Sequence, residues 1–283
     1  MPSATLTDQS DDAITSRPGP VVAFEAVSIA FDEKVVLKNI SFSVERGQTQ
    51  IILGPAGTGK SVLLKLANGL LKPDSGSIRI FGEEITAMPE RELYKLRSHI
   101  GMVFQESALF DSLTVEDNVS YRLHEERVPE EETHKRVVEA LKFVELEQAI
   151  AKLPSELSGG MRRRVSIARA IISNPDLILY DSPTGGLDPI TSTTIIELVM
   201  KQRDVSHTTS LLVTHRLQDA FVLATHRFDT ATGGMKPIPK DGPNHGIDEG
   251  TKFLILNEGS IVFHGDTEEL VHSTDPWIKE YLS

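Results

Sequence analysis

The sequence predicts an α/β protein with a parallel-sheet core, an antiparallel β-subdomain before it and a helical subdomain inserted within it. VVAFEAVSIAF and VVLKNISFSV, near the start, are rich in β-branched and aromatic residues and favour two antiparallel strands. TQIILGPAGTGKSVLLKLANGLL then changes from an apolar strand to a glycine loop and a helix. The apolar strands LILY and SLLVTH return after a long helical region, which is the alternation typical of a parallel sheet.

Composition and charge exclude several classes of function. Hydrophobic residues at 39% and charged residues at 25% are typical of a globular protein, and no run of about 18 apolar residues could span a bilayer. A formal net charge of -12 argues against broad binding of nucleic acid through its phosphates. The absence of cysteine excludes disulfides and thiolate chemistry and fits a reducing cytoplasm. We therefore expect a cytoplasmic protein whose contact with a membrane, if any, runs through a partner.

One domain is expected over residues 21–283, with the helical subdomain at about 107–165. The polar residues 1–20 predict a disordered tail, and they lack the apolar core of a secretory signal. Residues 229–252 are rich in Gly, Pro and Asp and predict a long loop insertion. That insertion is either tolerated at the surface or used for a regulatory or partner contact.

Periodicity predicts the buried faces of two helices. After the glycine loop, the inward residues are expected to be Val62, Leu63, Leu66 and Leu70. In PEEETHKRVVEALKFVEL the acids occupy the first turn, where the helix dipole favours them. The inward stripe of this second helix is expected to be Val137, Val138, Leu141 and Val144.

The glycine loop GPAGTGKS fits the phosphate-binding pattern G-x-x-x-x-G-K-[ST] and is flanked by the strand and helix that the pattern requires. It predicts a nucleotide site in a P-loop NTPase (RecA-like) core, where backbone N–H groups hold phosphates, Lys60 reaches the β and γ phosphates and Ser61 ligates Mg²⁺. The expected nucleotide-binding residues here are Gly54, Pro55, Ala56, Gly57, Thr58, Gly59, Lys60, Ser61 and Val62. Kinases and GTPases share this motif, so it indicates only a nucleotide.

The segment LSGGMRRR, Leu157 to Arg164, places a serine and two glycines before a helix and predicts a second anion site. Taken alone it could also be an ordinary helix cap followed by a solvated arginine face, although this is the weaker interpretation. We expect the basic run Arg162 to Arg164 to be mostly solvated. With this segment the sequence resembles the ATP-binding cassette (ABC) ATPases, in which the signature segment of one subunit caps the γ-phosphate held by the phosphate loop of another. The resemblance implies that Ser158, Gly159 and Gly160 contact ATP in a head-to-tail dimer.

Further motifs agree with this resemblance in order and approximate spacing. Gln105 in GMVFQ matches the family's Q-loop, Asp181 in LILYD its Mg²⁺-supporting carboxylate, and His215 in LLVTH its switch histidine on the γ-phosphate. Asp188, in the stretch GLD, matches the D-loop at the nucleotide interface. Phe31 matches an aromatic that stacks on adenine, although a core phenylalanine is nearly as good an interpretation. The resemblance thus implies an ATPase with Ser61, Gln105 and Asp181 on Mg²⁺.

The sequence departs from the family at Ser182, where a glutamate normally polarises the attacking water. A hydroxyl can orient water beside Gln105 and His215 but cannot usefully accept its proton near pH 7. Slow rather than absent hydrolysis is expected. A partner subunit with an intact site and a substitute carboxylate, Glu106, are the alternatives.

The segment VFQESALFDSLTVEDNVSYRLHEE bears on the partner. Together with YDSPTGGLDP and DPWIKEYL, it resembles the ATPases of Mla and other MCE-associated lipid transporters, although amino-acid importer ATPases share part of it. The resemblance implies a permease contact across Ser107 to Val119, with Leu109, Phe110 and Leu113 as apolar anchors, on the inner face of the plasma membrane. An ABC protein acting on DNA or the ribosome would need two cassettes or a coiled coil, and a P-loop small-molecule kinase would lack LSGGM.

Overall fold

The computed structural model describes residues 18–283, so nearly all of the predicted tail lies outside the described residues. In chain order the strands are β1 Val22–Phe31, β2 Lys34–Val44, β3 Thr49–Leu53, β4 Ser75–Ile80, β5 Glu83–Glu84, β6 Ile100–Val103, β7 Leu177–Asp181, β8 Thr209–Val213, β9 His226–Asp229, β10 Gly234–Pro237, β11 Thr251–Asn257 and β12 Ser260–Asp266. The α-helices are α1 Lys60–Ala67, α2 Glu90–Leu96, α3 Val115–Glu125, α4 Glu130–Phe143, α5 Gly159–Ile171, α6 Pro189–Ser206, α7 Leu217–Thr225, α8 Thr267–Val271 and α9 Pro276–Leu282.

The core is a six-stranded sheet with the order β12-β11-β3-β8-β7-β6. Its neighbours from β11 to β6 are parallel, and β12 adds an antiparallel edge. Every residue of β3, β7 and β8 is buried, as expected of central strands covered on both faces. Because these strands are parallel, the segments that follow them meet at one edge of the sheet. The phosphate loop, Asp181 and His215 all lie at that edge.

The expected N-terminal antiparallel subdomain is present as a four-stranded sheet, β2-β1-β4-β5. Asp32 and Glu33, between β1 and β2, have φ angles of 45° and 68°, which is typical of the two-residue turns that match strand twist. The sequence interpretation missed β4, which joins this sheet, and β6, which extends the core sheet. Both are short, and β6 is specified by its pairing with β7, far along the chain.

The inserted helices α3 and α4 lie between β6 and β7 and pack against α5. Val137, Leu141 and Val144 are fully buried as predicted, but Val138 is 37% exposed. Leu70 was also wrongly expected to be buried. It is 49% exposed because α1 ends at Ala67 and Gly69, with φ 65°, takes the chain out of helical phase.

The C-terminal stretch FLILNEGSIVFHG forms a hairpin of β11 and β12. Glu258 and Gly259 form its turn, with φ angles of 47° and 78°. A two-residue turn such as Glu-Gly inside an apolar run indicates a hairpin of two strands rather than one long strand.

Residues 229–252, expected as a loop, contain most of a second hairpin formed by β9 and β10. Arg203 of α6, which is only 6% exposed, ties this segment to the core through an ion pair with Asp248 and a hydrogen bond to the hydroxyl of Thr251. Ile238 is buried. Deletion or replacement of residues 230–251 would therefore remove packed residues rather than a free loop. No helix within residues 18–283 is both long and apolar enough to cross a membrane.

Candidate nucleotide-binding site

The phosphate loop, Gly54 to Ser61, connects β3 to α1 in a conformation that its glycines permit. Gly54 has φ 143°, and a Cβ there would lie 2.2 Å from the carbonyl oxygen of Leu256. Gly59, the N-cap of α1, has φ 93° and offers no side chain to the free N–H groups of the first turn. Those N–H groups therefore remain available to an anion.

Lys60 bends back over this loop. Its Nζ donates hydrogen bonds to the carbonyl oxygens of Gly54, at 2.8 Å, and Pro55, at 2.6 Å. Burial lowers the pKa of Lys60, and the nearby charge of Asp181 opposes that shift. The ammonium group thus lies over the loop that the motif assigns to phosphates.

Ser61 and Asp181 meet although they are 120 residues apart in the chain. The Ser61 hydroxyl donates to Oδ1 of Asp181 at 2.9 Å. Ser61 is the second residue of α1 and Asp181 ends β7, so the contact follows from packing of α1 on the sheet. A hydroxyl beside a carboxylate provides oxygen ligands of the kind that Mg²⁺ prefers. Within residues 18–283 there is no cluster of three or more His, Cys, Asp or Glu side chains suited to a metal.

A cavity of about 410 Å³ lies beside the phosphate loop. Its wall brings together Gln105, Ser182 and His215 with Lys60 and Ser61. The remaining lining residues are Val36, Ala56, Gly57, Gly59, Val62 and Val213. Four separate segments of the chain therefore place predicted site residues around one cavity. Phe31 does not line this cavity. Phe31 is 42% exposed at the end of β1, which contradicts a core role, and the apolar lining contains Val36 instead.

The signature segment and the D-loop lie together, outside that cavity. Ser158 is the N-cap of α5 and accepts a hydrogen bond from the Met161 backbone at 3.2 Å. A Cβ at Gly160 would lie 2.4 Å from the Thr191 methyl of α6, so the two helix starts approach closely. Asp188 caps α6, and its hydrogen bond with Thr191 is the main cause of its lowered pKa. Of the predicted ATP contacts, Ser158, Gly159, Gly160 and Asp188 do not line the Lys60 cavity.

Ser182 is held in a special backbone conformation. It is 8% exposed, and its φ of 47° lies in the left-handed region that few residues with a side chain adopt. Its N–H donates to the carbonyl oxygen of Val213, at 2.9 Å, and its own carbonyl accepts from Gly185, at 2.9 Å. Glu106 is exposed and lines a different cavity, with Gly159 and Gly186.

Two residues of the site were missed by the sequence interpretation. Arg163 was expected to be solvated within Arg162 to Arg164, yet it is 4% exposed and donates to backbone carbonyls of the Q-loop and of the loop after Asp181. Tyr281 of α9 accepts a hydrogen bond from the Gly54 N–H at 3.0 Å. Neither has a sequence signal, because both act through contacts with distant parts of the chain.

Comparison with known proteins gives the site a family context. The family model described as "ABC transporter" matches residues 37–185. The ATP-binding protein MlaF of the intermembrane phospholipid transport system of Escherichia coli K12 is 35% identical over 263 residues, which cover 93% of this chain and 88% of MlaF. The methionine import ATP-binding protein MetN 2 of Bacillus cereus is 44% identical over 181 residues, covering 64% of this chain and 53% of MetN 2.

Among solved structures, the chain is similar to the ATP-binding cassette MJ0796, determined as a dimer in a post-hydrolysis state with ADP and Pi. The TM-score is 0.72 at 30% identity, covering 87% of this chain and 98% of that one. The similarity therefore extends over most of the chain rather than over the phosphate loop alone.

Proposed function

The chain belongs to the ABC transporter family of ATP-binding proteins, and from that premise we propose that it is the energy-coupling ATPase subunit of a phospholipid transporter. One observation carries the ATPase part of the proposal. Lys60, Ser61, Gln105, Ser182 and His215 come from four segments of the chain and surround one cavity at the carboxyl edge of the parallel sheet. Ligands of open α/β sheets bind at this edge.

The lipid part of the proposal is supported by similarity along the whole chain. MlaF, whose name states a phospholipid transport system, matches 93% of the chain. The methionine import protein has a higher identity but matches only 64%. Import of an amino acid is therefore the second candidate, and a transport assay with reconstituted permease and either labelled phospholipid or methionine separates the two.

ATP binding would use the phosphate loop and its helix. Lys60 exchanges the carbonyl oxygens of Gly54 and Pro55 for phosphate oxygens, while the N–H groups of α1 hold the remaining oxygens. Ser61 and Asp181 would hold Mg²⁺ together with Gln105, since Ser61 and Gln105 line the cavity and the Ser61 hydroxyl donates to Asp181. When bound, Mg²⁺ supplies positive charge to the phosphates.

Closure of two protomers would complete each site. The signature residues Ser158, Gly159 and Gly160 lie outside their own chain's phosphate cavity, which fits a role at the ATP held by a second copy. Asp188, beside them, would contact the same interface. Head-to-tail pairing thus gives two ATP molecules, each between one phosphate loop and one signature segment.

Hydrolysis would be slow because Ser182 provides no proton acceptor. Its hydroxyl orients water, His215 contacts the γ-phosphate, and the remaining rate comes from positioning and charge neutralisation. A substitute base, Glu106, is the weakest of the three explanations, because Glu106 lines the cavity of the signature segment rather than that of Lys60. A partner subunit with an intact site is the remaining alternative.

The permease contact would use a groove of about 320 Å³ between the core sheet and the inserted helices. Phe110 and Tyr121 form its aromatic part and are 43% and 45% exposed. Arg169 supplies positive charge, and the other two arginines of the lining, Arg97 and Arg122, form ion pairs with Glu90 and Glu126. Such a surface fits a short amphipathic helix with acidic residues. Of the predicted anchors, Phe110 is accessible, whereas Leu109 packs against the core. Contact through this groove would hold the protein at the inner face of the membrane.

The test is capture of the tagged full chain from a detergent extract, followed by mass spectrometry and an ATPase assay. We expect a multi-spanning membrane protein to co-purify and Phe110→Asp to remove it without reducing ATP binding. Val205→Asp, at an apolar residue that is 47% exposed and lies outside the groove, is the control for capture. Unchanged recovery of the membrane protein with Phe110→Asp would mean that the interface lies elsewhere on the protein.

A further inference from the structure

Arg163 connects three functional segments through its guanidinium group. It is the fifth residue of α5, five positions after Ser158, and it is 4% exposed. Nη1 donates to the carbonyl oxygens of Phe104, at 3.0 Å, and Ser182, at 3.3 Å, and Nη2 donates to those of Gln105 and Gly185. Two of these acceptors belong to the Q-loop and two to the loop that follows Asp181.

Two carboxylates partly offset the cost of burying the charged side chain of Arg163. Burial lowers its pKa, and the carboxylates of Asp181 and Glu106 oppose that shift. Its Nε is buried without a hydrogen-bond partner among the described residues. The terminal nitrogens of Arg163 thus bind loop carbonyls, whereas Nε has no partner within residues 18–283. The loops rather than its own helix therefore orient this guanidinium group.

The same helix holds the Q-loop at a second place. Arg169 donates to the carbonyl oxygens of Ser107, at 2.9 Å, and Ala108, at 2.8 Å. The segment 104–108 is therefore attached to α5 at both of its ends. A shift of α5 would carry Gln105 with it, and through Arg163 it would also move Ser182.

We propose that Arg163 is a positioning residue that couples the signature segment of a protomer to the hydrolysis side of the same protomer's ATP site. The inference rests on the proposed head-to-tail dimer, in which the ATP at Ser158 is the one held by the other copy. ATP arriving at the start of α5 shifts that helix, and Arg163 passes the shift to the backbones of Gln105 and Ser182, whose side chains line the cavity. Each ATP thereby promotes hydrolysis of the other.

The alternative is that Arg163 only stabilises the fold. A stabilising role predicts a lower melting temperature with unchanged cooperativity. A coupling role predicts that cooperativity between the two sites is lost while ATP still binds.

The experiment measures ATP affinity by calorimetry and the ATP dependence of turnover with labelled ATP, for the full chain and its variants. Arg163→Met keeps most of the side-chain volume and removes every donor. Arg164→Met is the matched control, because Arg164 lies on the same helix but donates to Val144 and Glu145 at the far side. Arg163→Lys keeps the charge with a different donor geometry.

We expect Arg163→Met to bind ATP with wild-type affinity and to lose turnover by about 5- to 150-fold, the range of typical coupling energies. Its Hill coefficient should fall toward one, whereas that of the wild type lies above one and that of Arg164→Met stays at the wild-type value. Arg163→Lys should recover part of the cooperativity. If Arg163→Met does not fold, Arg163→Lys decides the question: a folded lysine variant whose Hill coefficient lies between one and the wild-type value supports coupling, and one with wild-type turnover and Hill coefficient contradicts it.

Two outcomes would overturn the inference. One is a folded Arg163 variant with wild-type turnover and Hill coefficient. The other is a wild-type Hill coefficient of one despite ATP binding and dimer formation, which leaves the proposed function in place. Absence of ATP binding by the wild type overturns the proposed function itself.

Discussion

The phosphate loop and the loop after Asp181 start from strands on either side of β8, but they are held in different ways. The phosphate loop is held mainly by itself, through glycines that allow its path and a lysine that donates to carbonyls of the same loop. The loop after Asp181 is held by distant groups. Its Ser182 carbonyl accepts from Arg163, and its Thr184 hydroxyl donates to Asp219.

Because of this difference, we expect nucleotide binding and turnover to respond differently to movements elsewhere in the molecule. A locally specified loop keeps its shape when other parts of the molecule move, so nucleotide binding should be robust. A loop held by α5 and α7 responds to movement of those helices, so turnover should be adjustable from outside the site. Ser182, which we propose occupies the position of a catalytic base without being able to act as one, lies in the adjustable loop, whereas the binding loop carries the complete motif.

Lys60→Ala should have the largest effect, because it removes the positive charge nearest to the transferred phosphate. Loss of one preorganised group at a developing charge typically reduces turnover by about 10² to 10³. ATP affinity, measured by calorimetry, should fall as well. Lys65→Ala, at an exposed lysine in the last turn of the same helix, is the control and should match the wild type. Undiminished turnover in Lys60→Ala would disprove the nucleotide site.

Ser182→Glu should raise turnover several-fold or more, because it supplies the missing proton acceptor. General-base assistance contributes about 10² to 10⁴ in rate, and we expect the low end because Ser182 lies in a left-handed backbone position with Arg163 close by. Steady-state ATPase assays on the purified protein make the measurement. Ser182→Gln controls for size without basicity, and Ser182→Ala should change the rate much less.

A contrary result at this position would be informative about the comparison. A fast wild-type enzyme whose Ser182→Glu variant is no faster would mean that another group accepts the proton. Both the binding site and the hydrolysis site would then have every group that they need, and the proposal of a slow ATPase would be wrong.

Tyr281→Phe should have the smallest effect and should act on binding alone. It removes the acceptor of the Gly54 N–H, and a typical hydrogen bond contributes about 1 kcal/mol, equivalent to about fivefold in affinity. We expect a weaker Kd for ATP with unchanged kcat. Tyr94→Phe, at a tyrosine that is 47% exposed and distant from the loop, is the control. A change in kcat without a change in Kd would show that α9 acts on the hydrolysis side instead.

Where the sequence interpretation erred, a neighbour in space outweighed local pattern. Leu70 kept the helical period but lies beyond the end of α1, and Val138 faces outward although it adjoins the buried Val137. Residues 229–252 have the composition of a loop, yet Arg203 and Asp248 fix them against α6. Gly and Pro content reports the ease of turning, not the presence of a packing partner.

The sequence by itself determined the strand–loop–helix unit around Lys60 and the order of the motifs, and it placed a hydroxyl rather than a carboxylate directly after Asp181. These follow from short-range rules, since the conformations open to glycine and the chemistry of a side chain depend on few neighbours. Only the tertiary structure decided that Arg163 is buried against carbonyls about sixty residues away, that Tyr281 reaches Gly54, and that Gln105, Ser182 and His215 share one cavity with Lys60. A long side chain or an exposed loop acquires its role from whatever the fold brings next to it, and that information is spread over the whole chain.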